Sequence, residues 1–225
     1  MNNNIINVAI DGPAGAGKST VARGAAKQLG YIYVDTGALY RAIGVNALRN
    51  GVDTKDKAAV AASLDGVKVN LVFENGEQKV MLNGEDVSVE IRTPEASMAA
   101  SDVSAVPEVR AFLFDLQRDI AKRNSCIMDG RDIGTVVLPQ AQVKIFLTAS
   151  PEIRAERRYK ELIEKGSEVD YQSVLDDIVK RDYNDSHREI APLKPAEDSV
   201  LFDTTGLALD ESVAAITKII KEKIQ

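Results

Sequence analysis

Apolar positions along the chain fall into short runs separated by longer segments of helical character. Ile5 to Ile10 is an apolar run ahead of a Gly-rich turn, and it predicts a buried strand. Lys18 to Leu29 predicts a helix, with Gly30 as its C-terminal cap. Tyr31 to Val34 predicts a second strand. Ala38 to Arg49 predicts a helix stopped by Asn50-Gly51. Ser125 to Met128, Val143 to Leu147 and Val200 to Phe202 are three further apolar runs of strand length, again separated by helical patterns. Strands alternating with helices predict an α/β fold, a central parallel sheet flanked by helices on both faces. Right-handed crossovers then put the strand C-termini along one edge, where ligands bind in such sheets.

One stretch breaks the alternation. Lys68 to Phe73, Lys79 to Leu82 and Glu85 to Val89 read as three short strands, punctuated by Asn75-Gly76 and Asn83-Gly84, both hairpin dipeptides. A small antiparallel insertion over residues 65–90 is therefore expected inside the α/β chain. Glu164-Lys165-Gly166-Ser167-Glu168 is a polar turn between two helical patterns and marks a candidate mobile segment.

Composition narrows the chemistry. The 225 residues carry 28 Lys+Arg against 34 Asp+Glu, a net charge of −6, which argues against a general nucleic-acid binder. No apolar run reaches the length of a membrane span, and Met1 to Ile6 has no signal-peptide pattern, so a cytoplasmic protein is expected. The single Cys126 and single His187 cannot build a disulfide framework or a Cys/His zinc site. Cys126 lies in an apolar run and reads as a small buried hydrophobe. His187 lies among charges and reads as a partly exposed helix residue rather than a general base.

The sharpest motif is Gly12-Pro13-Ala14-Gly15-Ala16-Gly17-Lys18-Ser19, a full G-x-x-x-x-G-K-[ST] match between a strand and a helix. Its glycines let backbone N–H groups close around phosphate, and the helix N-terminus favours an anion. Lys18 reaches the terminal phosphates, Ser19 is placed to coordinate Mg²⁺, and Thr20 can bond the phosphate nearest the sugar. The chain has neither the Asn-Lys-x-Asp guanine reader nor the Leu-Ser-Gly-Gly-Gln transporter signature.

Three other runs bear on what happens to the γ-phosphate. Asp129-Gly130-Arg131-Asp132-Ile133-Gly134-Thr135 follows an apolar strand, which places Asp129 to face Mg²⁺ through water. Asp35-Thr36-Gly37-Ala38-Leu39-Tyr40-Arg41 opens a helix, where Asp35 or Thr36 also suits an N-cap. Arg181, Asp185 and Arg188 share one narrow helical face; spacing alone favours ordinary i,i+4 and i,i+3 salt bridges, for which Arg154 and Arg158 are also spaced.

Taken in order, and followed by Ala191-Pro192-Leu193, these four motifs resemble the bacterial cytidylate kinases over nearly the whole chain. The resemblance implies a P-loop three-layer fold with a β insertion and a helical lid. It divides the chain into a core of 1–64, 91–153 and 189–225, the insertion at 65–90 and a lid region at 154–188. It implies transfer of the γ-phosphoryl group of ATP, with Mg²⁺, to CMP or dCMP, and a monomer acting on small molecules, without nucleic acid or membrane. The acceptor phosphate would be held by Thr36, Arg41, Arg131 and Arg188. Ser101, Arg110 and Asp132 would read the base. Arg181 and Asp185 would hold the sugar, with Tyr40 nearby. Arg154, Arg157 and Arg158 would lie near ATP, and Lys18, Arg131, Arg158 and Arg188 would be catalytic. A P-loop kinase of another small acceptor, or a nucleotide-dependent switch, remains open at this point.

Overall fold

The structure is a computed structural model that describes residues 5–74, 77–164 and 166–224. Eight strands and eight α-helices follow one another as β1 (Asn7–Asp11), α1 (Lys18–Leu29), β2 (Ile32–Asp35), α2 (Thr36–Arg49), α3 (Lys57–Ala62), β3 (Val69–Glu74), β4 (Glu77–Leu82), β5 (Glu85–Asp86), α4 (Pro94–Val103), α5 (Pro107–Arg123), β6 (Cys126–Gly130), β7 (Val143–Thr148), α6 (Pro151–Glu164), α7 (Tyr171–His187), β8 (Val200–Asp203) and α8 (Leu209–Lys223). The expected parallel sheet is five-stranded, in the order β2-β6-β1-β7-β8, and β3-β4-β5 form the separate three-stranded sheet. Register runs Val8↔Val143 to Asp11↔Phe146 between β1 and β7, and Ile145↔Val200 to Thr148↔Asp203 between β7 and β8.

The chain forms two compact units, one spanning Ile32–Cys126 and the other combining Ile6–Tyr31 with the residues from Ile127 onward. In the first, α2 shares a core with the small sheet and the helices after it: Leu39, Ile43, Val60, Val80, Leu82, Val103 and Leu113 are all buried together. In the second, β1 and β6 are buried along nearly their whole length, as strands of a covered parallel sheet should be, whereas β7 alternates buried Val143, Ile145 and Leu147 with half-buried Lys144, Phe146 and Thr148. Helices α6 and α7 pack on each other through Ala155, Val174 and Ile178, a much smaller cluster.

Most elements fall where the pattern puts them, with instructive differences. β1 ends one residue later than expected, because Asp11 is buried and continues the strand. α2 starts at Thr36 rather than Ala38, because the Asp35 carboxylate accepts a hydrogen bond from Ala38 N at 2.9 Å and caps it. The third strand of the insertion is only two residues long: Ser88 Oγ takes over as acceptor for Val80 N, and the chain turns into a 3-10 turn at Glu90–Arg92. Asn83 and Gly84, both with positive φ, make the expected tight hairpin. Asn75-Gly76, and Lys165 of the polar turn, lie outside the described residues. Cys126 is buried as expected. His187 is exposed on α7 and stacks on Tyr183 with ring centroids 4.0 Å apart. No helix among the described residues is long and apolar enough to cross a membrane.

Candidate active site

The phosphate-binding loop leaves β1 through Gly12, whose φ of 152° and surroundings exclude any side chain: a Cβ there would sit 1.9 Å from the Leu147 carbonyl oxygen. Gly17, also left-handed, leads into α1, whose unpaired N–H groups and dipole favour an anion. Lys18 is buried and donates to the Pro13 carbonyl at 2.7 Å, closing the loop on itself. Burial first, then the neighbouring Arg131 charge, pulls its ammonium down to about 7, against the opposing pull of Asp129, Asp185 and Asp11. Ser19 donates its hydroxyl to Asp129 Oδ2 at 2.7 Å. These are two hard oxygen donors at the helix start, the donor chemistry that suits Mg²⁺.

Asp129 sits at the end of β6, and the residues that follow it meet α7. Arg131 Nε donates to Asp185 Oδ2 at 2.7 Å. Arg188 Nη2 stands 3.4 Å from Asp132 Oδ1, and its Nε donates to the Ala191 carbonyl at 2.7 Å. Asp185 is thus bonded to an arginine 54 residues away, so the shared face of Arg181, Asp185 and Arg188 is more than a row of local surface salt bridges. Burial pushes the Asp185 carboxyl up, but the charge and hydrogen bond of Arg131, with the charges of Arg188 and Arg181, outweigh it and hold the group below the usual carboxylate range. Burial likewise disfavours the Arg131 cation, yet Asp185, Asp129 and Asp182 together raise its affinity for the proton.

One residue here escaped the sequence reading. Asp11 Oδ1 and Oδ2 accept the backbone N–H groups of Ile133 and Gly134 at 2.8 and 2.7 Å. The strand leading into the phosphate loop thereby grips the turn just beyond Asp132, which winds as a short π-helix from Ile133 to Val137. Burial is the main cause lifting the Asp11 carboxyl to about 6, with Asp132 adding repulsion and the two N–H bonds opposing. The available signal was an acid ending an apolar strand immediately before the loop glycine.

The three arginines of α6 separate. Arg154 is buried and spends its guanidinium on the Ala149 carbonyl, the Ala14 carbonyl of the phosphate loop and Asp182 Oδ2, at 2.8, 2.9 and 2.6 Å. Arg157 donates to the Thr204 carbonyl and hydroxyl. Arg158 is about one-third exposed and donates to Glu161 at 2.8 Å.

In the other unit, α2 carries the second group of expected site residues. Arg41 Nη2 donates to Asp35 Oδ2 at 2.8 Å, while Thr36 is buried beneath the helix start. The Arg110 guanidinium lies 5.8 Å from the Tyr40 ring centre and 3.4 Å from the Ser104 carbonyl. Ser104 in turn donates to the carbonyl of Ser101 at 2.8 Å. Tyr40, Ser101 and Arg110 therefore cluster across α2, α4 and α5.

Comparison with known proteins identifies the family. The family model described as cytidylate kinase matches residues 8–222. A cytidylate kinase of Lactobacillus johnsonii is 53% identical over 221 residues, covering 98% of this chain and 96% of its own. One of Caldicellulosiruptor bescii is 50% identical over 223 residues, covering 97% and 99%. Among solved structures, an uncharacterized protein from Eubacterium ventriosum superposes with a TM-score of 0.53 at 13% identity, covering 96% of this chain and 98% of that one, a likeness of fold alone. With a family model spanning all but the chain's extremities, and relatives half identical along their full length, the chain belongs to the cytidylate kinase family.

Proposed function

We propose that this protein transfers the γ-phosphoryl group of ATP to CMP or dCMP, giving ADP and CDP or dCDP. The observation that carries this reading is the join between the phosphate loop and the arginine group: Ser19 bonds Asp129, and two residues on Arg131 bonds Asp185. Residues 12–20 cradle the donor phosphates, with Lys18 on the terminal ones. Arg131 and Arg188, with Thr36 and Arg41, hold the acceptor phosphate. Asp132, Ser101 and Arg110 read cytosine, and Arg181, Asp185 and Tyr40 serve the sugar. A carboxylate at Asp132 accepts from the exocyclic amine of cytosine and repels the carbonyl that uracil offers at the same place.

The chemistry needs no protein base. The attacking oxygen belongs to a phosphate already ionised at neutral pH, so catalysis is charge neutralisation and in-line positioning of two anions. Arg131 stays cationic because Asp185 stays anionic, so the charge is in place before substrate arrives. Arg188 braces Asp132, so the phosphate contact and the base contact move together. Ser19 and Asp129 fit Mg²⁺, the latter through water, and the bound metal would supply charge neutralisation between the donor phosphates. Residues 154–188 act as the lid that excludes water, with Arg154, Arg157 and Arg158 on the donor side. Residues 65–90 are an insertion in the acceptor-binding part, and the remainder is core. We further assign it as a cytoplasmic monomer.

The test is ADP formation from MgATP with CMP, dCMP, UMP, AMP or GMP added singly, against a blank without acceptor. Fast turnover with CMP and dCMP is expected. Equal ADP in every tube, the blank included, would make the protein an ATPase or a switch instead.

A further inference from the structure

Position 78 interrupts an apolar face. Side chains two apart on a strand share a face, so Gln78 lies on the face of β4 that carries Val80 and Leu82, which are 2% and 1% exposed. Those two belong to the core built around Leu39 and Ile43 of α2. The polar side chain in their row has a specific partner. The backbone N–H of Asp35 donates to Gln78 Oε1 at 2.9 Å, and Gln78 Nε2 lies 3.4 Å from the Asp35 carbonyl oxygen as its donor. The N–H and C=O of one strand residue point the same way, so the carboxamide meets Asp35 as the peptide of an adjoining strand would.

Asp35 is a junction. Its main chain is held by Gln78, its Oδ1 caps α2 at Ala38, and its Oδ2 holds the Arg41 guanidinium. Thr36 is the next residue. We propose that Gln78 is a positioning residue for acceptor binding: it fastens the three-stranded sheet to the start of α2 and so fixes where Thr36 and Arg41 stand. The small sheet then has a task in substrate affinity beyond covering α2. This rests on the reading that Thr36 and Arg41 hold the acceptor phosphate.

The test is steady-state kinetics of the full-length enzyme carrying Gln78→Met, which keeps length and loses both hydrogen bonds. KM for CMP is expected to rise about three- to tenfold, with kcat within about twofold and KM for ATP unchanged, the size of one or two neutral hydrogen bonds. Gln78→Glu keeps an acceptor for the shorter bond and is expected to bring KM for CMP back to within about twofold of the parent. An unchanged KM for CMP in Gln78→Met would overturn the proposal. So would an equal rise of both KM values that Gln78→Glu does not reverse, since that is the mark of general loosening. Arg41→Ala, measured alongside, separates the two claims: if it leaves KM for CMP untouched, the acceptor role of this segment falls whatever Gln78 does.

Discussion

The end of β1 and the last turn of α7 each hold a carboxylate largely out of water, and the two are held in opposite ways. Asp11 accepts two backbone N–H groups and is pushed up to about 6. Asp185 accepts one guanidinium hydrogen bond, with two further arginine charges acting on it, and is held below the ordinary range. Burial works in the same direction on both, so the difference is the charge of the partner. Two neutral amides do not replace the hydration a carboxylate loses; one cation with two more behind it does. Asp11 is accordingly suited to fixing the chain beyond Asp132, and Asp185 to keeping Arg131 charged and aimed.

Removing the cation should turn Asp185 into a second Asp11. Arg131→Met leaves a buried carboxylate without its hydrogen-bonded partner, at a cost of roughly 3–5 kcal/mol of stability at pH 7. A carboxylate held low stabilises the fold above its unfolded value and loses that contribution as pH falls, so the variant should lose less stability near pH 4 than at pH 7. With the phosphate contact gone as well, kcat/KM for CMP should drop about a thousandfold. Denaturant melts at the two pH values and steady-state kinetics check all three outcomes; an equal stability loss at both would mean that the pair is not the source of the shift.

The converse holds for Asp11. A carboxyl raised from 3.8 to about 6 binds its proton more tightly in the folded state, so its contribution is fully present below about pH 4 and is lost as pH rises to about 6. Asp11→Asn removes that slope. The stability difference between parent and variant should therefore change across this window by up to about 3 kcal/mol, the parent gaining toward acid. Paired melts from pH 4 to 7 read it, and a flat difference would leave Asp11 ionised throughout.

Asp132 connects the two neighbourhoods, repelling Asp11 and bonded to Arg188. Asp132→Ala should abolish the preference for CMP over UMP, a loss of about ten- to a hundredfold in discrimination, while ATP binding persists. The same change should lower the Asp11 proton affinity, visible as a shift of its carboxyl resonance in a pH titration. Retained discrimination would remove Asp132 from the base-reading role.

What the sequence made legible follows the reach of each interaction. The phosphate loop, the Gly30 cap and the Asp35 cap depend on neighbours within one turn, and the sequence pattern finds them. Asp11 meets partners 122 and 123 residues away, Arg154 meets Ala14 across 140, and Gln78 meets Asp35 across 43. No local pattern announces these pairings; they exist only once the fold brings distant elements together. The Arg181-Asp185-Arg188 face shows the boundary. Helical spacing gives the shared face, whereas only the position of β6 decides that Arg131, and not solvent, lies opposite Asp185.

The arginines of α6 provide the mildest version of the same contrast. Arg154 is bonded on three sides in a buried setting, and Arg158 meets its i+3 neighbour at the surface. Arg158→Ala should therefore shift unfolding by no more than a few tenths of a kcal/mol, the worth of an exposed pair. If Arg158 acts on the transferring phosphoryl group, the same variant should lose about ten- to a hundredfold in kcat with KM for CMP little changed, the pattern of a contact made chiefly in the transition state. Arg154→Ala inverts the signature, costing stability because it strips the Ala14 and Ala149 carbonyls and Asp182 of their donor together. Thermal melts and kinetics on the two variants separate the roles. A stability loss in Arg158→Ala as large as in Arg154→Ala would assign both to the scaffold.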